Sequence, residues 1–187
     1  MKDFPAKAWF LPQPVAIIGT YDQNGTPNAM NAAWCGTWDA NEIIISLGSH
    51  ATTDNLSRTG CFTVAFATAE TMVAADYVGL VSGKRVPDKA QRAGLNAQKA
   101  AHVDAPVFTN FPMTLECEVV KKLDESATGC YLIGKIVNIV ADDQFLAADG
   151  KPDVEKMHLI IFDPIHHTYI ALGSKLGDAF AAGNALK

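Results

Sequence analysis

Val15-Ala16-Ile17-Ile18-Gly19-Thr20, then Asp22-Gln23-Asn24-Gly25, then Pro27-Asn28-Ala29-Met30-Asn31-Ala32-Ala33-Trp34 is the stretch on which the fold turns. An apolar run of strand length stops at a polar turn, and Asn-Gly is the strongest two-residue hairpin signal. The flanking runs are therefore expected to pair antiparallel. Asp39-Ala40-Asn41 turns the chain again, and the Ile-rich residues 42–47 supply a third strand, so the first part of the chain reads as a meander.

Outward from this stretch, N-cap candidates at 49–53 precede a short helix that Gly60 would stop, and residues 61–67 read as a fourth strand. Residues 71–80 suit a helix with Met72, Ala75 and Val78 or Gly79 on its narrow apolar face. A loop at 81–87 and a short helix at 88–92, ended by Gly94, follow. Residues 114–123 and 131–141 are the longest strand candidates, joined by a polar turn at 124–129 into a second hairpin. Short strands at 158–162 and 167–172 and a terminal helix or tail at 178–184 complete the chain. Strands that arrive as successive hairpins do not suit a parallel doubly wound sheet, whose crossovers need a helix between most strands. A small antiparallel barrel or sandwich is expected, mainly β with a few short helices.

The 187 residues are 49% hydrophobic and 19% charged, the balance of one globular domain over 1–187 with a substantial core. With 15 Lys and Arg against 20 Asp and Glu, the net charge of -5 offers no overall positive field for nucleic acid or anionic lipid. Residues 1–10 carry Lys2, Asp3 and Lys7 without the apolar run of a secretory signal, and no later stretch has the roughly 18 apolar residues of a membrane span. A cytoplasmic location, with no membrane partner, is the expectation.

Several chemistries lack their motif. There is no GxGxxG after a first strand, no GxxxxGK[ST] and no GxSxG elbow, so a Rossmann unit, a P-loop and a hydrolase triad are not supported. A nicotinamide cofactor would have to visit rather than reside. Cys35, Cys61, Cys117 and Cys130 show no CxxC spacing and read as reduced core thiols. His166 and His167 are adjacent, and adjacent strand residues point to opposite faces, which makes a poor metal-chelating pair.

One region is chemically organised. The return strand 28–34 combines small side chains with two amides, and Ser49-His50-Ala51-Thr52-Thr53 follows about fifteen residues later. Small residues let a flat ligand approach the backbone. Hydroxyls beside the orphan amides of a helix N-terminus are what a phosphate monoester needs, because those N–H groups donate and the helix dipole favours negative charge. Ser82-Gly83-Lys84-Arg85 adds a hydroxyl, a flexible backbone and two cations, and Lys89 adds a third. Each piece also has a structural explanation: Ala32 and Ala33 as tight sheet packing, Thr52 as an N-cap, Lys84 and Arg85 as a solvated loop.

The pieces occur together in one family. Pro14-Val15-Ala16-Ile17-Ile18 with Gly25 and Asn28, Ala32-Ala33-Trp34, and Thr52, Asn55 and Leu56 leading to Thr59-Gly60-Cys61-Phe62 carry the likeness. Val81-Ser82-Gly83, Asp88-Lys89, Gly94-Leu95, Thr114-Leu115-Glu116-Cys117, Tyr169 and Leu172-Gly173 continue it. Over nearly its whole length the chain resembles the flavin reductase-like, FMN-binding split-barrel family, and within it the flavoredoxin type. The order and spacing of these residues are specific for the family and poorly specific for the reaction.

The resemblance implies a six-stranded antiparallel split β-barrel that forms a homodimer with FMN near the subunit interface. It implies that Ser49, His50, Ala51, Thr52 and Thr53, with Asn55, and Ser82, Gly83 and Lys84 hold the flavin phosphate, with Lys89 as a further candidate. Asn28, Met30, Asn31, Ala32, Ala33 and Trp34 would run beside the isoalloxazine ring, whose N5, N3, O2 and O4 need donors and acceptors that the backbone of a small-residue strand can offer. Trp34 would either cover the ring or sit in the barrel core, and Cys35 and His50 would be supporting residues. The chain departs from the family in two places. His50 stands where relatives often have Arg or Lys, leaving phosphate charge to Lys84, Arg85 and Lys89, and Arg85-Val86-Pro87-Asp88-Lys89 carries a proline where relatives have Asp-Val-Asp-Lys.

The activity implied is hydride transfer from NADH or NADPH to FMN, with electrons leaving to a flavin, another small molecule or a protein acceptor. Hydride transfer to a flavin needs no side-chain acid or base, so no catalytic side chain is assigned and no metal is expected. Two other classes remain open: an FMN electron carrier without significant nicotinamide turnover, and a haem site using His50, His102, His158 or His166 as axial ligand.

Overall fold

The computed structural model describes residues 1–126 and 128–186; Ala127, within the turn expected at 124–129, and Lys187 lie outside the described residues. In chain order the elements are β1 (Gln13–Pro14), β2 (Ala16–Tyr21), β3 (Pro27–Ala32), β4 (Cys35–Asp39), β5 (Glu42–Gly48), α1 (Ala51–Thr59), β6 (Cys61–Phe66) and α2 (Met72–Leu80). There follow α3 (Lys89–Arg92), β7 (Ala97–Lys99), β8 (Pro106–Phe108), β9 (Met113–Ser126), β10 (Gly129–Ala141), β11 (Ile160–Asp163) and β12 (Thr168–Ala171). The terminal helix or tail expected at 178–184 is a tail with one 3-10 turn, Ala182–Leu186, that buries nothing.

The opening hairpin forms as expected, with Ile17 opposite Asn31 and Ile18 opposite Met30. Its connection is longer than a two-residue turn. Asp22 Oδ1 accepts from the amides of Asn24 and Thr26, both at 2.8 Å, and Gly25 takes φ 78°, so Asn24-Gly25 forms only the far half of the loop at 22–26. A short carboxylate that captures amides two and four residues on competes successfully with the tight turn.

The expected meander does not continue past β3. The return strand stops at Ala32, Cys35–Asp39 makes an unforeseen strand β4, and the β4–β5 hairpin carries β5 away, where it pairs with β10. The other edge of β2 takes β6, and the sheet order is β3-β2-β6-β9-β10-β5-β4, all antiparallel. The β9–β10 hairpin is the longest, as its two apolar runs suggested.

Side-chain alternation along these strands sets two cores. Ile18, Met30, Leu47, Phe62, Cys117 and Leu132, one from each of β2, β3, β5, β6, β9 and β10, meet in one buried cluster that Leu56 of α1 closes. The sheet curls so that β3 approaches β5. This is the six-stranded split barrel, with β4 added at the edge and only Cys35 packed at its rim. The opposite faces of β2, β3 and β6 present Ile17, Ala29 and Ala65, which bury against Ala75 and Val78 of α2, Ala90 of α3 and Ile160 of β11.

Two features fix the helices that border the site. Arg58, in the last turn of α1, donates to the carbonyls of Tyr21 and Asp22 at 2.7 and 2.8 Å, and Gly60 ends the helix at φ 68°, a left-handed cap that costs glycine little. Gly79 lets α2 lie close on β3, where a Cβ would stand 3.1 Å from Asn31 Cβ. Cys61, Cys117 and Cys130 are buried and Cys35 is half-buried; burial pushes Cys35 up to about 11 and Cys117 up to about 12. Among the described residues, no helix is long and apolar enough to cross a membrane.

Candidate functional site

Between the N-terminus of α1, strand β3 and the end of α2 lies a cavity of about 310 Å³. Asn31, Gly79 and Leu80 also line a second cavity of about 170 Å³, so the two form one trough along β3.

The first end is a cradle of donors. His50 is the N-cap of α1, with extended backbone, but its side chain makes no capping hydrogen bond, so the first-turn amides are left to another partner. Thr52 Oγ1 accepts from Asn28 Nδ2 at 2.9 Å, which leaves its own O–H to donate. Ser82 faces α1 from the opposite wall, in a turn where its carbonyl accepts from Arg85 and Val86 at 3.0 and 2.9 Å. Arg85 and Lys89 supply positive charge.

Beneath this cradle Asn28 and Asn55 both donate to Thr20 Oγ1, at 3.3 and 3.0 Å, in a buried network. Asn28 Oδ1 is buried without a hydrogen-bond partner. Gly83 lies against it: a Cβ there would stand 2.5 Å from that oxygen and 3.2 Å from Ala51 Cβ. Two hydroxyls, two cations and unclaimed amides fit a phosphorylated tail, and the unpaired acceptor lies one layer beneath them.

Lys89 is buried, and its ammonium donates to the carbonyls of Val78 at 2.8 Å and Val81 at 2.9 Å, closing the C-terminal end of α2. Burial pulls its pKa down to about 8. Between that value and the ordinary 10.5 the unfolded chain binds more protons than the folded one, so this group makes stability rise with pH. The raised thiols of Cys35 and Cys117 act in the opposite sense above their ordinary 9.0. In the ligand-free protein the rise is therefore expected between pH 8 and 9, and Lys89→Met should remove it; denaturant melts across that range that are parallel for the two proteins would refute the assignment.

The second end of the trough is flat and aromatic. Ala33 and Gly79 leave the strand open, and Trp34, Phe162 and Tyr169 make the wall. Trp34 and Phe162 meet edge to face at 6.3 Å between centroids, and Phe162 and Tyr169 are tilted at 6.1 Å. Trp34 is 54% exposed, so it belongs to the trough and not to the barrel core. Tyr169 donates to Asp76 Oδ1 at 2.8 Å; burial, with that carboxylate second, pushes the phenol up to about 12.

The structure brings Met30, Asn31, His50, Ala51, Thr52, Ser82, Gly83 and Lys89 to the first cavity, and Asn31, Ala33 and Trp34 to the second. Asn28 and Asn55 lie one layer below, in the Thr20 network. Ala32 points into the barrel. Thr53 donates to the carbonyl of Gly48 at 2.6 Å, Ser49 is exposed beside it, and Lys84 pairs with Asp54 at 2.8 Å on the outer side of α1. Asp76, Leu80 and Phe162 were not anticipated. Tyr169 stood among the residues of the family likeness, but nothing local marks the other three.

A barrel whose strand and helix ends build such a trough defines a class of protein. The family of flavin reductase like domains matches residues 9–152, and the chain belongs to that family. Among solved structures it is similar to the flavoredoxin of Desulfovibrio vulgaris (Miyazaki F), with 34% identity and a TM-score of 0.91 over 98% of this chain and 99% of that one. It is similar also to a flavoredoxin from Methanosarcina acetivorans, with 27% identity and a TM-score of 0.89 over 100% of both chains. An FMN-binding domain of a flavin reductases-like enzyme from Shewanella baltica shares the fold at 19% identity, with a TM-score of 0.74 over 89% of each chain. No curated protein sequence matches the chain.

Proposed function

We propose that this protein is an FMN-dependent oxidoreductase that takes electrons from NADH or NADPH and passes them to a small-molecule or protein acceptor. The observation that carries the proposal is the single trough, with phosphate-type donors at one end and a small-residue strand under an aromatic wall at the other. The amides of Ala51 and Thr52, the hydroxyls of Thr52 and Ser82 and the charges of Arg85 and Lys89 would hold the phosphate. The main chain of Asn31, Ala32 and Ala33 would meet the polar edge of the ring. FMN supplies the hydride and electron chemistry when bound. The chain binds the tail, orients the ring and leaves one face open to a visiting donor, and no side-chain acid or base is required of it.

The whole-length likeness to two flavoredoxins favours a second reading, an electron carrier with little nicotinamide turnover. One experiment separates the two. Purified protein mixed with FMN and desalted should remain yellow; prompt anaerobic bleaching by NADH or NADPH supports the oxidoreductase, whereas slow bleaching with fast reduction by a reduced redox protein supports the carrier. A protein that leaves the column colourless removes both.

A homodimer acting in the cytoplasm, where buried thiols such as Cys61 and Cys117 stay reduced, belongs to the same proposal. Val120, Tyr131, Val137 and Ile139 on β9 and β10 are large apolar side chains left exposed, which supports self-association. Light scattering should read the mass of two chains; the mass of one at micromolar concentration excludes the dimer.

A further inference from the structure

The two ends of the trough differ in charge. Arg85 and Lys89 line the first, whereas among the described residues Asp76 is the only Asp, Glu, Lys, Arg or His lining the second. Its position is fixed from two sides. The Tyr169 hydroxyl donates to Asp76 Oδ1 at 2.8 Å, and Asn31 Nδ2, which donates to the Ala75 carbonyl at 3.1 Å, reaches the Tyr169 hydroxyl at 3.5 Å. A carboxylate is thus tied to the strand along which the ring would lie.

We infer that Asp76, anchored by Tyr169, holds down the reduction potential of a flavin bound in the trough. The inference rests on the FMN reading above. A hydride taken from a dihydronicotinamide would bring the ring two electrons and one proton, and so one negative charge, while the donor would leave as a cation; with N1 unprotonated the reduced ring would keep that charge. A fixed like charge nearby opposes that gain, and a partly enclosed site screens it less than open water does. The oxidised ring, carrying no net charge, is affected far less. Asp76 therefore weakens binding of the reduced flavin relative to the oxidised one, which makes the bound flavin a stronger reductant toward its acceptor.

The measurement is the midpoint potential of the FMN-loaded protein, together with the affinities for oxidised and reduced FMN. Asp76→Asn keeps the size of the side chain and an oxygen for the Tyr169 hydroxyl. It is expected to tighten reduced relative to oxidised FMN about tenfold, raising the two-electron potential by about 30 mV. Asp76→Lys should move the ratio further in the same direction, and Tyr169→Phe, which keeps the charge, should move it less than Asp76→Asn. Asp88→Asn serves as a control, since that carboxylate is paired with Arg92 at 2.9 Å on α3. If Asp76→Asn and Asp76→Lys bind FMN with a reduced-to-oxidised affinity ratio within twofold of the natural protein, the inference is overturned while the FMN reading stands. If the natural protein binds no FMN, both are lost.

Discussion

Gly83→Val is expected to weaken FMN binding about 10- to 100-fold while leaving the barrel folded, on the scale of 1–3 kcal/mol for an overpacked contact. The side chain would begin 2.5 Å from Asn28 Oδ1 and 3.2 Å from Ala51 Cβ, so either the amide or the loop must move. Asn28 is held by Thr20 and Thr52, and Ala51 sits in the first turn of α1. The loop is the softer partner. Apart from the exposed Lys84–Asp54 pair and the Val86 carbonyl, which accepts from the Lys89 amide, the hydrogen bonds of residues 82–86 run within the loop, with Arg85 and Val86 donating to the Ser82 carbonyl, so they would shift outward together. That shift pulls the Ser82 hydroxyl and the Arg85 charge away from the amides of α1, which is why the loss falls on the phosphate end. Quenching of FMN fluorescence measures the affinity, and a melt of the ligand-free protein checks the fold. An affinity within twofold of the natural protein would place the phosphate elsewhere.

Phe62→Ala acts on the barrel itself and is expected to cost about 3–5 kcal/mol of stability. Phe62 is 0% exposed and ranks first among the largest fully buried side chains. Its ring fills the interior opposite Gly134 of β10, where an added Cβ would overlap the ring. Strands β6 and β10, the two neighbours of β9, therefore also meet through this one side chain, and the surrounding β-strands cannot collapse inward without breaking their ladders. For a chain of this size the loss corresponds to a fall in Tm of about 6–20 °C. Gly134→Ala probes the same contact from the other side and should destabilise by overpacking. A Tm for Phe62→Ala within about 2 °C of the natural protein would show that the interior is not packed around this ring.

Some of the molecule was legible because its causes are local. Apolar runs of strand length, Gly60 after a helix-sized segment and the two long apolar runs in the second half each act within a few residues, and each element forms where those signals stand. The cradle was legible for the same reason: Thr52, Ser82 and Gly83 sit at a helix start and in a turn whose chemistry is written in adjacent residues. Errors arose where a nearby competitor decided the outcome. Asp22 turned an expected tight turn into a longer loop, and the break after Ala32 produced β4 and sent β5 to the far side of the sheet.

By itself, then, the order of residues determined the six barrel strands β2, β3, β5, β6, β9 and β10, the two short strands β11 and β12, the helices α1 to α3 and the phosphate-type end of the trough. Only the tertiary structure decided how strand edges pair beyond the two expected hairpins and which residues of α2 and the C-terminal strands stand at the ring end. Asn31 reaches Tyr169 across 138 positions of chain, and Tyr169 reaches Asp76 across 93. No periodicity or turn chemistry links residues so far apart; they meet because burying Ile17, Ala29, Ala75 and Ile160 in one cluster brings α2 and the C-terminal strands down onto β3.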